Sequence, residues 1–388
     1  MISIAGFRFA RVFDARSRMV LFVLLLLSHV GASVAYYLYS QQFGGDVALY
    51  YNDPLGIYGV ASGLSTVFVV NFVQFLKEYL GGSFIDYFLL FQAMGFWGIL
   101  FVLRTFDDIH EELGLPTFNR LYLLLFLPGL HFWTSAIGKD APIFLGVAMC
   151  TWAAFQIQRR YLAFAAGLVI SLLVRPHITL IALVALAATL LFGRNTSILA
   201  RAGLMVVVLG GIGSVAGLVQ ESFQGLNISN TDSVTEFLEA KSTVSEESGG
   251  DLNIVNASFP VKLISLLFRP FFVDATGVLG YIASLENVVL LLVVGSLVWH
   301  FRIALAVARA ALFARFSFFF FVMLTLLLAM VNYNVGLGLR QKMMMMPALL
   351  VFFVAMLAVR TVRKAMVYDP RATAYSGAPP AAQGYRRV

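Results

Sequence analysis

Apolar runs of span length, separated by short polar turns, organise this chain from residue 19 to residue 360. A helix crossing a bilayer needs about 20 such residues, and fewer where it is broken inside protein. Runs at 19–40, 84–104, 120–137, 141–158, 202–220, 282–301, 316–333 and 343–360 predict spans. Between Arg160 and Arg194 a further apolar stretch is interrupted by Arg175-Pro176-His177. Its basic ends belong on one side, so it reads as two short spans, 161–175 and 178–193, with the Arg-Pro-His tip at the opposite face. Segment 56–76 is the least lipid-like run, with Gly56, Gly59, Ser62, Gly63, Ser65, Asn71 and Gln74. It predicts a helix lying along the surface rather than a span.

Charge sets the orientation. Arg8, Arg11, Arg16 and Arg18 precede the first span; Arg159, Arg160, Arg194, Arg201, Arg302, Arg309 and Arg315 mark later loops, and Arg360, Arg363 and Lys364 follow the last span. All fall on one side only if 56–76 does not cross, and lysine and arginine favour the cytoplasmic side. The predicted fold is all-α: a polytopic integral membrane protein with about ten transmembrane helices, an interfacial helix at about 56–76, and both termini cytoplasmic. Residues 1–360 are expected to form a single integral-membrane domain, with an outer loop region at 221–285. Within it, 221–258 carries Glu221, Asp232, Glu236, Glu239, Glu246, Glu247 and Asp251 against Lys241, as suits a translocated loop that could order over substrate as a lid, and apolar 259–272 lies on the membrane. Residues 361–388 are expected to form a basic, disordered tail rich in Ala, Pro and Gly.

Composition agrees with lipid as the solvent. Of 388 residues, 60% are apolar and 12% charged, against roughly 25% charged in soluble domains; the mean hydropathy is +0.86. No small-residue cleavage site follows the first run, so it is expected to be a retained span rather than a signal peptide. The lone cysteine, Cys150, excludes an internal disulfide and a thiolate metal site. The net charge of +7 sits at span ends, which points to topology and anionic lipid rather than nucleic acid.

On this topology the unusual polar residues gather at the outer face: Asp46, Tyr50, Tyr51, Asp53, His131, Trp133, Lys139, Asp140, Arg175, His177, Arg269, Glu286, Asn332, Asn334, Arg340 and Lys342. Ionisable groups at the membrane are expensive, and their convergence from distant segments suggests function. A carboxylate can take the proton of an attacking hydroxyl. Arginines can hold a phosphate or pyrophosphate leaving group bidentately. Aromatic rings offer flat surfaces to sugars. Transfer of a sugar from a lipid phosphate uses all three. The candidate roles are Asp46 as base, with His177 as a lesser candidate; Arg175, Arg269, Arg340 and Lys342 on the donor phosphates; and Tyr50, Tyr51, Asp53, Trp133, Lys139, Asp140 and Glu286 along the substrate path. Each has a plainer role: Asp53 in a solvated loop, Lys139-Asp140 as a helix start before Pro142, Arg340 and Lys342 as interface anchors. No metal and no cofactor is implied. His110-Glu111-Glu112 lacks a second histidine, and no nucleotide, zinc-peptidase or serine-hydrolase motif is present.

This organisation resembles the glycosyltransferase C superfamily, in which an acidic residue in the first outer loop precedes helices lying on the membrane; Asp46 and segment 56–76 match in place and kind. The blocks Phe-Trp-Thr-Ser-Ala-Ile-Gly-Lys-Asp (132–140), Arg-Pro-His (175–177), Phe-Arg-Pro-Phe (268–271) and Gly-Leu-Arg-Gln-Lys (338–342) resemble membrane proteins of bacterial exopolysaccharide clusters, grouped with Wzy- and EpsG-type repeat-unit polymerases. The likeness covers most of 19–360. It implies a bacterial inner-membrane enzyme whose site faces the periplasm. It implies a polyprenyl-linked sugar donor, a glycan acceptor and membrane lipid as partners, with other polysaccharide assembly proteins as further candidates. The first loop departs from an Asp-x-Asp pattern, since Asp53 follows Asp46 by seven positions, which counts against metal dependence. A transporter or flippase of lipid-linked oligosaccharides is the rival, although no internal repeat is evident. A non-catalytic scaffold is the third reading.

Overall fold

The computed structural model describes residues 15–43, 46–59, 63–116, 119–193, 256–332 and 334–368, together with 199, 202–203, 205–206, 208–214 and 254. Every regular element among them is helical. In chain order these are α1 (Ala15–Phe43), α2 (Asp46–Asn52), α3 (Thr66–Leu80), α4 (Phe84–Glu112), a 3-10 turn at Arg120–Phe126, α5 (Pro128–Phe132), α6 (Asp140–Phe155), α7 (Ile157–Val174) and α8 (Pro176–Leu191). After the 199–214 stretch, which is helical where described, come α9 (Phe259–Phe268), α10 (Gly277–Trp299), α11 (Phe301–Ala310), α12 (Leu312–Val331), α13 (Val335–Gln341) and α14 (Met346–Tyr368). Among the described residues, six helices (α1, α4, α7, α10, α12 and α14) are long and apolar enough to cross a membrane. The chain is accordingly a helical, multi-pass membrane protein.

Burial sorts the six. α4, α12 and α14 are mostly enclosed by other helices, whereas α1, α7 and α10 present leucine and valine outward, as at Leu27, Leu38, Val169, Leu292 and Val298. Surfaces of this kind belong against lipid. Small residues set the inner helix contacts: Gly146 of α6 meets Gly167 of α7, and Gly95 of α4 lies against the backbone of Thr134. A Cβ on Gly95 would sit 1.9 Å from the Thr134 carbonyl oxygen. Gly95→Ala is therefore expected to lower thermal stability in detergent by about 3 kcal/mol. Gly295→Ala, with open space at its Cβ, should leave the melting temperature unchanged or slightly raised.

Several sequence expectations are corrected. The span predicted at 120–137 is not one helix. It runs as the 3-10 turn, α5 and a further series of turns, because Pro128 carries no N–H and starts a new helix. Irregular backbone at membrane depth must be enclosed by protein, and here Tyr122, Leu125, Leu127, Leu130, Thr134, Ser135 and Ile137 are all buried. The surface helix expected at 56–76 forms later, as α3, with Val69, Val70 and Val73 buried. The break expected at Arg175-Pro176-His177 is present, since α7 ends and α8 begins at Arg175. Arg315, expected in a polar loop, is buried and donates to the carbonyls of Thr189 (2.9 Å), Ala308 (2.9 Å) and Arg309 (2.6 Å). It ties the end of α8 to the α11–α12 corner, and Arg315→Leu is expected to cost about 3 kcal/mol, measured as denaturant or thermal unfolding, by leaving carbonyls unpaired. Acidic loop 221–258 falls almost wholly outside the described residues, as do 215–220, the tail from 369, and Arg8 and Arg11.

Candidate functional site

Four separate segments deliver charge to one place. Helix α2 begins at Asp46, and its 3.6-residue period puts Asp46 and Tyr50 on one face. Gly138 has φ +155, a conformation open to glycine. A Cβ there would lie 3.4 Å from the Tyr50 ring and 3.8 Å from Arg340 Nη2. The chain thus passes tightly behind both before Lys139 and Asp140 open α6. Arg175 occupies the break between α7 and α8, with Pro176 at the first position of α8. Arg340 rides on α13, whose start is capped by the Asn334 side chain accepting from the N–H groups of Gly336 (2.7 Å) and Leu337 (3.3 Å).

Asp140 is the hub. One oxygen accepts from Arg175 Nη2 at 3.3 Å and the other from Arg340 Nε. The second arm of Arg340 reaches Asp46, Nη1 to Oδ2 at 2.6 Å. Lys139 Nζ donates to Ser65 Oγ at 3.2 Å. Asp140 is buried, while the Asp46 carboxylate is 50% exposed. Three cations thus surround two carboxylates, an imbalance that a bound anion corrects. Among the described residues Arg175 Nε has no hydrogen-bond partner although it is buried, so it has a donor to offer.

Electrostatics keep the carboxylate side charged. Burial pushes the Asp46 carboxyl up, but Arg340, Lys139 and Arg175 outweigh it and hold the group below the usual carboxylate range. Burial lowers Arg340, yet Asp140 and Asp46 raise it further, so its charge is fixed. Lys139 goes the other way: burial, then Arg175, bring it down to about 8 against the pull of Asp140. If the cluster binds anions, affinity for pyrophosphate should fall as pH rises through about 8, where Lys139 loses its charge. Folding stability moves oppositely. Between about 8 and the ordinary lysine value of 10.5 the unfolded chain binds the extra proton, so stability contributed here rises with pH. Titrating pyrophosphate by calorimetry at pH 7 and 9 checks the sign. A Lys139→Met variant should flatten the dependence.

The remaining candidates distribute elsewhere. His177 lies two residues past Arg175, on the first turn of α8. Asp53 has φ +46 and accepts from the backbone N–H groups of Ile57 (2.8 Å) and Tyr58 (2.9 Å), holding a turn. Tyr51 faces away from the ion cluster: Lys77 sits 4.1 Å above its ring, and it lines a second hollow of about 440 Å³ with Tyr37, Asn52 and Phe84. Arg269 does not join Arg340; it is held bidentately by Asp274, at 2.8 and 2.9 Å. Nor does Lys342, which is fully buried and bonded to Asn287 Oδ1. Trp133 and Glu286 line a cavity of about 810 Å³ between α1 and α10, floored by α5 and the first turns of α13. This cavity shares α13 with the ion cluster, since Val335, Gly336, Leu337 and Leu339 line it and Arg340 follows.

Ser65, Asn287 and Asp274 were not singled out from sequence. Asp274 lies five residues beyond Arg269, a spacing that offers a partner within one turn; Ser65 carries no such signal. At the opposite end of α4 a second network forms: Asp108 pairs with Arg160 (2.6 Å) and Arg104 (2.9 Å), and Tyr122 donates to Asp107 (2.7 Å). His110 belongs here, bonded to Asn119 and the Phe106 carbonyl. Among the described residues no group of three or more His, Cys, Asp or Glu is placed to hold a metal ion. No family model, curated protein or solved structure matches the chain.

Proposed function

We propose that this chain is a membrane glycosyltransferase or polysaccharide polymerase that moves a glycosyl unit from a polyprenyl phosphate or pyrophosphate donor to a sugar acceptor. The observation that carries it is the cluster of Arg175, Arg340 and Lys139 around Asp46 and Asp140, with more cation than carboxylate and an unused guanidinium donor. Arg175, Arg340 and Lys139 grip the donor phosphates and stabilise the charge that develops as the phosphate leaves. Arg269 and Lys342 drop out of that grip, being committed to Asp274 and Asn287. Asp46, ionised and half exposed, takes the proton of the acceptor hydroxyl, with His177 as the secondary candidate. The acceptor oxygen bonds to the anomeric carbon as the bond from that carbon to the phosphate oxygen breaks.

The proposed topology has ten passages, namely α1, α4, 120–138, α6, α7, α8, 202–220, α10, α12 and α14. Both termini are cytoplasmic, and the site opens to the periplasm of a bacterial inner membrane. Arg104, Arg160 and buried Arg315 at the far helix ends agree with the charge bias of cytoplasmic ends. The cavity also favours transfer over transport: its lining runs from the Arg340 end to the middle of α1 at Ser28, and none of it comes from the Arg104–Glu112 end of α4. Incubating the purified protein with lipid-pyrophosphate oligosaccharides and sizing the products tests the proposal. Longer glycans with released lipid pyrophosphate are expected; donor that crosses proteoliposomes unchanged would identify a flippase instead.

A further inference from the structure

The large cavity differs from the ion cluster in chemistry. Among its lining residues are two carboxylates, Glu286 and Asp274, and no lysine or arginine. Asp274 is already neutralised by Arg269. Glu286 is not matched in this way: it is 5% exposed, its Oε2 accepts from the Gly129 N–H at 2.5 Å, and among the described residues its Oε1 has no hydrogen-bond partner. Lys342, whose positive charge acts on it, donates a hydrogen bond to Asn287. A buried acceptor without a donor costs roughly 1–3 kcal/mol, more when it is charged, and a ligand O–H removes that cost. Among the lining residues no lysine or arginine stands ready to balance a phosphate. Flat surfaces stand beside it: Trp133, Phe132 and Tyr39 line the cavity, with Phe132 and Trp133 edge-to-face at 5.1 Å.

We infer that this cavity binds an uncharged, hydroxyl-rich sugar, with Glu286 accepting a hydroxyl proton in a hydrogen bond and Trp133 stacking on the sugar face. Resting on the glycosyl-transfer proposal, this deepens it. The two sites divide the substrates by charge, the cluster taking lipid phosphate and the cavity a neutral sugar. Arg340 on α13 and the cavity-lining Met343, just beyond its end, lie three positions apart, so the two sites adjoin at the end of α13. An apolar alkyl or prenyl chain is the competing occupant, because Gly31, Ala32, Ala35 and Ala283 make the α1 and α10 walls smooth.

The chain's own Cys150 is buried, so a cysteine placed in the cavity by Ala283→Cys can be labelled selectively in the full-length detergent-solubilised protein. The probes are a panel of methyl glycosides (glucoside, galactoside, mannoside, rhamnoside and N-acetylglucosaminide), inorganic pyrophosphate, and decane. At least one methyl glycoside is expected to slow labelling, and pyrophosphate is expected to leave it unchanged. Glu286→Gln, which keeps the shape, should weaken that protection about tenfold through loss of a charge-assisted acceptor. Trp133→Phe should weaken it less. Protection by decane alone, or by none of the probes, overturns the inference, as does equal protection in Glu286→Gln with an unchanged melting temperature. Pyrophosphate binding, measured separately on the same protein, reports on the ion cluster. Its loss would count against the donor proposal while leaving the sugar result standing.

Discussion

Arg340→Gln is expected to cripple the proposed glycosyl transfer and to destabilise the protein together. The guanidinium satisfies Asp140 and Asp46 at once, and glutamine supplies neither the charge nor the fork. Asp46, half exposed, is rehydrated. Asp140, 7% exposed, stays buried beside a weaker 3.3 Å contact to Arg175 and carries most of a cost of about 3–5 kcal/mol. Loss of the phosphate grip should lower turnover by about 10²–10³-fold. The two effects separate in the Asp140→Asn/Arg340→Gln double variant. Thermal unfolding should recover much of its midpoint, because no buried carboxylate is left unpaired, while transfer stays lost. Recovery of transfer along with stability would make Arg340 purely structural.

Asp46→Asn is expected to reverse that pattern. The amide keeps the size of the carboxylate, so the fold should persist with a melting temperature within a few degrees. Transfer should fall by about 10²–10⁴-fold, as for loss of a general base. Pyrophosphate binding should hold or tighten, since one carboxylate is gone from a cluster already rich in cations. Full activity in this variant removes Asp46 from the chemistry. Equal losses in binding and transfer would instead place Asp46 as a positioner of Arg340.

Much of the ion cluster was legible in sequence because charges are rare here and each stands out. Asp46, Asp140, Arg175 and Arg340 are among few ionisable groups in largely apolar surroundings, and a fold that buries them must bring opposite signs together. Their partnering was not legible, since Asp46 and Arg340 lie 294 residues apart. Arg269 and Lys342 are cations like Arg175 and Arg340, but nearby Asp274 and Asn287 claim them first. Sequence spacing hinted at the former and not at the latter. Among the described residues, helix existence was read well where apolar runs were continuous. It failed at 120–137, where Pro128 and buried polar contacts to irregular backbone replace a helix that composition alone permits. His131 bonding the Leu125 carbonyl at 2.8 Å is one such contact. α3 was displaced for a related reason: the glycines near residue 59 delay its start to Thr66.

That a partly buried excess of guanidinium and ammonium exists to seize a lipid phosphate is tested most directly by native mass spectrometry of the purified protein with polyprenyl pyrophosphate. Wild type should retain one lipid pyrophosphate, and Arg175→Gln/Arg340→Gln, checked for an intact fold, should retain none. Equal retention by both proteins would contradict the account.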